Sequence, residues 1–362
     1  MGHRYIGSKT KILDEVVSEI QNIAPARGHV VDLMAGTGAV SVALRVAGFK
    51  VTAADLMTYS YHHARVALLL SEAPKFRKAT EFIEKFSRKE SKVESRYSRV
   101  IEALNSIPPR KGYFWKEFSV EGNPPDATKP RNYFSPENAS KIDSIRFWIK
   151  KLHANGSIND IEHSLLLHDL IMAANDVANI SGTYGHYLSK LVGRARDPIS
   201  LKCTEFDIAY NEKGHVVLKG YAEELASSIV ADLCYIDPPY MKRQYAANYH
   251  ILETLAREDS PKAVGESGLR PWRDQYSNFC TKTKIRQSFT EIFTRMKCDH
   301  FLISYSEDGL LKIEDLKKFL AQFGDVTVKT VKHKRFKSNQ SALENQLSEY
   351  LIHLDTKKRK EV

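Results

Sequence analysis

Residues 29–55 constrain the fold more than any other stretch of this chain. Val30-Val31-Asp32-Leu33-Met34 is a short apolar run and Ala35-Gly36-Thr37-Gly38 is a turn. Residues 39–47 then place Val40, Ala43, Leu44 and Ala47 on one face of a helix, which Gly48 ends. Lys50-Val51-Thr52-Ala53-Ala54 predicts a second strand that finishes on Asp55. Strand, glycine turn, helix and strand in so few residues form a βαβ unit, the opening of a parallel α/β sheet with a right-handed crossover.

Glycines let a backbone pass close to a ligand, and Asp55, 19 residues after Gly36, is placed to accept both hydroxyls of a ribose. Taken alone, the turn fits any tight connection that needs glycine at positive φ, because Gly36-Thr37-Gly38 continues as Ala39-Val40-Ser41 and misses the third glycine of a dinucleotide site. Asp32 narrows the choice. An acid at the carboxyl end of a strand faces the crevice of an open sheet and can hold a cationic amino-acid moiety, which S-adenosylmethionine carries and NAD does not.

The second informative segment is Asp237-Pro238-Pro239-Tyr240, directly after the buried-type run 230–236. Two prolines fix φ, remove two backbone donors and hold the preceding acid rigidly at the strand end. The Asp237 carboxylate and the Pro238 carbonyl then form a concave pair of acceptors. Such a pair suits an exocyclic amino group, whose two N–H donors it can draw toward tetrahedral geometry so that the nitrogen lone pair attacks a methyl sulfonium. Tyr240 offers an aromatic face for an extruded base. A rigid strand-to-loop turn is the alternative reading of the same four residues.

Around these segments the chain predicts helices over 12–23, 285–296 and 313–323, and strands over 301–305, 326–328 and 349–354. Residues 111–134 mix Gly, Pro and aromatics and read as irregular loop. The chain carries 54 Lys and Arg against 44 Asp and Glu, a net charge of +10. Between Arg65 and Lys151 stand 19 Lys and Arg against 11 Asp and Glu, so +8 of that excess falls in one long, helical stretch. A concentrated positive field points to a polyanion. A hydrophobic fraction of 42% and a charged fraction of 27% exclude a disordered or fibrous chain. The sequence shows neither a membrane-length apolar run nor a signal-peptide pattern, so a cytoplasmic, nucleoid-associated protein is expected. Cys203, Cys234, Cys280 and Cys298 form no C-x-x-C pair and read as reduced thiols; His62, His63 and His168 lack the spacing of metal ligands, and no metal is expected.

In order along the chain, Tyr5-Ile6-Gly7-Ser8-Lys9, Asp32-Leu33-Met34-Ala35-Gly36-Thr37-Gly38, Ala54-Asp55 and Asp237-Pro238-Pro239-Tyr240 resemble the motifs of the Dam-like, alpha-class adenine-specific DNA methyltransferases. Residues 181–185 and 248–254 look like features of one subgroup. The resemblance implies a Rossmann-like S-adenosylmethionine-dependent methyltransferase fold, mostly parallel with about seven strands and an inserted, mainly helical target recognition domain. It implies a catalytic domain of residues 1–66 (cofactor part) and 194–356 (catalytic part), an insertion over 67–193 and a disordered basic tail over 357–362. Tyr5, Lys9, Asp32, Ala35, Gly36, Thr37, Gly38, Asp55 and Asp237 are the implied cofactor-binding residues, and Asp237, Pro238, Pro239 and Tyr240 the implied catalytic ones. Tyr184, Lys242, Arg243, Lys334 and Arg335 are candidate DNA contacts. One departure stands out: the family often has an acid beside the cofactor adenine in a Gly-Asp-Ala pattern, where this chain has Gly220-Tyr221-Ala222-Glu223.

The implied reaction is methyl transfer to N6 of a flipped-out adenine in double-stranded DNA, by a monomer or weak dimer that acts alone or beside a cognate restriction endonuclease. RNA adenine, the exocyclic amine of DNA cytosine and a catalytically silent DNA-binding protein on the same scaffold are the competing readings.

Overall fold

The computed structural model describes residues 9–87, 95–206, 214–334 and 346–357. The chain divides into two compact units, one made of residues 7–69, 210–245 and 275–362, the other of 1–6, 70–209 and 246–274. Tyr5, Arg335 and residues 358–362 lie outside the described residues.

The first unit is built on one seven-stranded sheet. Its strands are β1 (His29–Asp32), β2 (Lys50–Asp55), β3 (Val216–Lys219), β4 (Leu233–Ile236), β5 (His300–Ser306), β6 (Asp325–Lys334) and β7 (Gln346–Asp355), in the order β3-β2-β1-β4-β5-β7-β6. The pairings among β1 to β5 are all parallel, whereas β7 runs antiparallel to both β5 and β6. The sheet contains the parallel βαβ unit expected from residues 29–55, and its seven strands match the Rossmann-like methyltransferase fold that the resemblance implies.

Alternation along the strands sends side chains to two cores. Val30, Val51, Leu233 and Leu302 pack with Val16 and Ile20 of helix Leu13–Ile23 and Leu44 of helix Ala39–Val46. Val31, Cys234, Ile236, Phe301 and Ile303 pack on the opposite face with Phe289 and Ile292 of helix Ile285–Arg295 and Leu316 of helix Ile313–Leu320. Burial on both faces explains why the central strands read as continuous apolar runs.

Three strands differ from expectation. β3 was not anticipated: its side chains are exposed or half-buried at the sheet edge, so the hydrophobic signal is weak. β4 starts at Leu233 rather than 230, because Val230 is exposed and makes only an isolated bridge to Lys297. β6 extends far past 326–328, since β7 pairs with it from Asp325↔Asp355 to Lys334↔Gln346, and backbone pairing tolerates the Lys and His side chains that masked the pattern.

The second unit is helical, with helices Thr80–Phe86, Arg96–Ser106, Tyr113–Phe118, Pro136–Ala154, Asp160–Asp176 and His250–Ala256 among the described residues. Helix Tyr113–Phe118 lies inside the segment that reads as irregular loop. Its first turn is held from a distance, because the Asp143 carboxylate accepts the N–H groups of Gly112, Phe114 and Trp115 at 3.0, 2.9 and 2.9 Å. Residues 246–274 cluster here rather than with residues 210–245, to which the sequence had joined them. Helix His250–Ala256 is buried at every position, and it finds the surrounding core it needs against helix Asp160–Asp176.

Candidate active site

β1 and β4 are neighbours in the centre of the sheet, with Asp32 paired to Tyr235. Their continuing chains carry the glycine turn and the Asp-Pro-Pro-Tyr segment, so both leave the sheet at adjacent carboxyl ends, where strand order switches direction. Open α/β sheets bind ligands at that point.

The turn is shaped from below. Gly36 and Gly38 have φ of 54° and 82°, a left-handed conformation open to glycine at little cost. A Cβ on Gly38 would meet nothing within 4 Å, so the backbone angle, not crowding, is what requires glycine there. Asp55 fastens the turn to β2: Oδ2 accepts the Gly36 N–H at 2.7 Å and Oδ1 the Met57 N–H at 2.8 Å.

Asp32 is 1% exposed, and its Oδ2 accepts the Ser41 hydroxyl at 2.6 Å. Burial pushes its pKa up to about 6, against the pull of hydrogen bonds from the Ser41 hydroxyl and the Ser41 and Met34 N–H groups. Expected to face the crevice, Asp32 instead lies beneath the turn and ties it to the first turn of helix Ala39–Val46.

Beside β4, Lys9 forms the hub of a buried charge cluster. Its Nζ lies 3.0 Å from Asp237 Oδ1 and 2.6 Å from Glu349 Oε1, and 5.2 Å from the centre of the Tyr240 ring. Ser304 of β5 donates its hydroxyl to the same Glu349 oxygen at 2.7 Å. Burial works against the Lys9 charge, but its neighbours Asp237, Tyr240 and Glu349 carry its pKa well above the usual lysine value. Burial, with Glu349 adding and Lys9 opposing, pushes Asp237 up to about 7. The Tyr240 phenol is likewise pushed to about 12 by burial. Tyr305 packs edge-on to Tyr240 at 5.8 Å, and Leu310 donates its N–H to the Tyr240 carbonyl at 2.9 Å, so the ring is fixed from behind while remaining partly exposed.

The structure therefore brings Lys9, Asp237 and Tyr240 together, one strand away from Ala35, Gly36, Thr37, Gly38 and Asp55. Pro238 is buried and Pro239 half-buried in the same loop. Lys242 and Arg243 follow as exposed side chains, on a loop anchored by the Gln244 amide, which exchanges two hydrogen bonds with the Ser277 backbone at 2.9 and 2.8 Å. Lys334 ends β6.

Tyr184 is corrected. It is fully buried, its hydroxyl donates to Asn175 Oδ1 at 3.2 Å, and its carbonyl accepts from Tyr133 Oη at 2.7 Å and His250 Nε2 at 3.0 Å. Its N–H reaches the Asn248 carbonyl at 2.9 Å, so the two subgroup-like stretches hold each other inside the helical unit and the Tyr184 ring is enclosed there rather than offered at the surface. Glu223 sits in the short helix Ala222–Leu225, which follows directly on β3 beside Asp55.

Glu349 and Ser304 were missed. A charged residue at an inward position of an otherwise apolar strand was the only local signal for Glu349, and Ser304 had none. Among the described residues no group of three His, Cys, Asp or Glu side chains is arranged to hold a metal ion, and no helix is long and apolar enough to cross a membrane.

Residues 5–319 match the family described as D12 class N6 adenine-specific DNA methyltransferase. The chain belongs to that family. Among curated D12-like relatives, it is 31% identical over 356 residues to the type II methyltransferase M.FokI of Planomicrobium okeanokoites, covering 97% of this chain and 52% of that protein. It is 30% identical over 347 residues to the type II methyltransferase M.NlaIII of Neisseria lactamica, covering 94% of each. It is 28% identical over 361 residues to the modification methylase StsI of Streptococcus sanguinis, covering 98% of this chain and 52% of that one. The chain thus spans about half the length of M.FokI and StsI and nearly all of M.NlaIII. D12-class members are adenine-specific DNA methyltransferases, a class that takes its methyl group from S-adenosylmethionine.

Proposed function

We propose that the chain methylates N6 of an adenine rotated out of duplex DNA, and that it is the modification partner of a cognate restriction endonuclease. The observation that carries the reading is the Lys9-bound Asp237 at the open end of β4, one strand from the glycine turn of β1. The names of the relatives, type II methyltransferase and modification methylase, support the second half.

The residues present fit S-adenosylmethionine: a turn open above Gly38, and a partly exposed carboxylate, Asp55, at the end of the neighbouring strand β2. Asp55 would hold the ribose and residues 35–38 the methionine part, with Asp32 keeping the turn in shape from below. When bound, S-adenosylmethionine supplies an electrophilic methyl group. Asp237 and the Pro238 carbonyl accept the two N6–H groups of adenine, which orients the nitrogen lone pair away from the ring. Lys9 fixes the Asp237 carboxylate through one oxygen, leaving the other for the base. With a pKa near 7, Asp237 can also hold the proton released from N6. Tyr240 stacks on the base, a contact worth roughly 1–3 kcal/mol in single-strand binders. Pro239 keeps the loop rigid, and the exposed Lys242 and Arg243 meet phosphates beside the target. The unit containing residues 70–209 takes the target-recognition role.

A tritium-labelled methyl donor, offered with duplex DNA and with RNA and followed by sequencing of modified bases, tests this reading. N6-methyladenine in one DNA context is expected. Asp237→Ala should lower turnover by about a hundredfold or more, as loss of a preorganised electrostatic group does. Label in cytosine or preferentially in RNA would refute the assignment of acceptor. Absence of S-adenosylmethionine binding by calorimetry would favour a silent DNA-binding protein.

A further inference from the structure

In the helical unit, Phe76 has φ of 46°, a conformation that bulky side chains rarely adopt. It is held there from three sides. Its ring is completely buried and stacks on Tyr97 at 5.6 Å and 8°, its N–H donates to Glu162 Oε1 at 2.7 Å, and Arg96 Nη2 donates to the carbonyl of the next residue, Arg77, at 3.1 Å. The reversal throws the flanking Lys75, Arg77 and Lys78 outward, and all three are exposed. They share one side of a cleft of about 420 Å³ that is closed by Gly156 and Asn159. None of the three makes an ion pair among the described residues.

The chemistry of the cleft distinguishes what it holds. An enclosed site for a small anion would offer free backbone N–H groups, but here they are taken: Phe76 and Asn159 donate to Glu162, and Ile161 and Glu162 donate to Asn159 Oδ1. An anion would meet only exposed side-chain cations, the arrangement that positions a nucleic-acid backbone without reading its bases. Glu162, the one carboxylate of the cleft, spends both oxygens on those N–H groups and is 7% exposed, so it presents little charge to a ligand.

We infer that the turn Lys75-Phe76-Arg77-Lys78 is a phosphate clamp for duplex DNA, a backbone-positioning surface separate from the loop of Lys242 and Arg243. The inference rests on the reading of the chain as a DNA methyltransferase and adds to it the residues that grip the duplex without choosing its sequence.

The test is the salt dependence of affinity for a random-sequence 30-bp duplex, measured by fluorescence anisotropy on the full chain carrying Lys75→Gln, Arg77→Gln and Lys78→Gln together. Each lost phosphate contact should make the slope of log affinity against log salt shallower by about one, so about three in all. Turnover at saturating DNA should hold while KM for DNA rises. A control with Arg286→Gln, Lys317→Gln and Lys318→Gln removes the same charge elsewhere. An unchanged slope, an equal change in the control, or a loss seen only with single-stranded RNA would overturn the clamp. If the wild-type chain methylated no DNA, the functional reading would fail on its own, and the slopes would still decide whether the turn grips a duplex.

Discussion

At the scale of single residues, the central question is how Asp237 stays poised beside two other charges. Lys9 is shared by two carboxylates, so the cluster carries one more negative charge than positive, and burial makes that excess costly. The result is an Asp237 whose pKa is raised to about 7. If the ionised form accepts the adenine N–H groups, turnover should climb about tenfold per pH unit below 7 and level off above it. A pH–rate profile that is flat from 5 to 8 would contradict this. Glu349→Gln keeps an acceptor for Lys9 and Ser304 but removes the negative charge that adds to the effect of burial on Asp237, so the inflection should move to lower pH. A slower variant with an unmoved inflection would mean that Glu349 only packs.

At the scale of elements, the glycine turn and the helical unit store different constraints. Gly38 is the N-cap of helix Ala39–Val46 at φ 82°, and Gly38→Ala should cost about 1–2 kcal/mol, the left-handed penalty of a side chain, because nothing else crowds the position. Urea unfolding at constant m measures this; a neutral effect would show that the turn relaxes. In the helical unit, Asp169 joins helix Asp160–Asp176 to two other segments by accepting Tyr97 Oη at 2.6 Å and Thr204 Oγ1 at 2.7 Å. Burial raises its pKa to about 7. A folded-state pKa above the unfolded one means that its share of stability is full below about pH 4 and is lost as pH rises through 7. Relative to Asp169→Asn, the wild-type chain should therefore lose up to about 4 kcal/mol between pH 4 and 8, from roughly three pKa units. Parallel stability curves for the two proteins would sink the prediction.

For the whole molecule, net charge overstates the surface available to DNA. Of the basic residues between Arg65 and Lys151, Arg131 is fully buried and bound to Glu117 at 2.6 Å and to the Gly265 carbonyl at 2.9 Å. Arg146 is buried over the rings of Tyr113 and Phe114, and Lys141 caps the carbonyls of Asn105 and Ile107. These cations serve the fold. Arg131→Leu should destabilise by about 3–5 kcal/mol, because it leaves Glu117 buried and uncompensated, yet leave the salt slope of DNA affinity unchanged. A changed slope in a folded variant would show that Arg131 senses phosphate.

The sequence by itself determined the parts whose causes are local. Strand, turn, helix and strand lie within residues 29–55, where spacing and glycine conformation encode them, and the rigidity of the Asp237 loop is written in two adjacent prolines. Even the parallel sheet follows, because a right-handed crossover leaves little choice. Only the tertiary structure decided which distant groups meet. Lys9 and Glu349 are 340 residues apart, and their contact depends on β7 inserting between β5 and β6, a choice of strand order that no short pattern carries. Tyr184, a candidate DNA contact from the sequence, is instead buried, because its partners Asn248 and His250, more than sixty residues away, fold against it. Composition likewise counts cations without their burial: the same residue type is a structural bolt at Arg131 and an exposed charge at Arg77, since solvation is settled by the neighbours that folding brings.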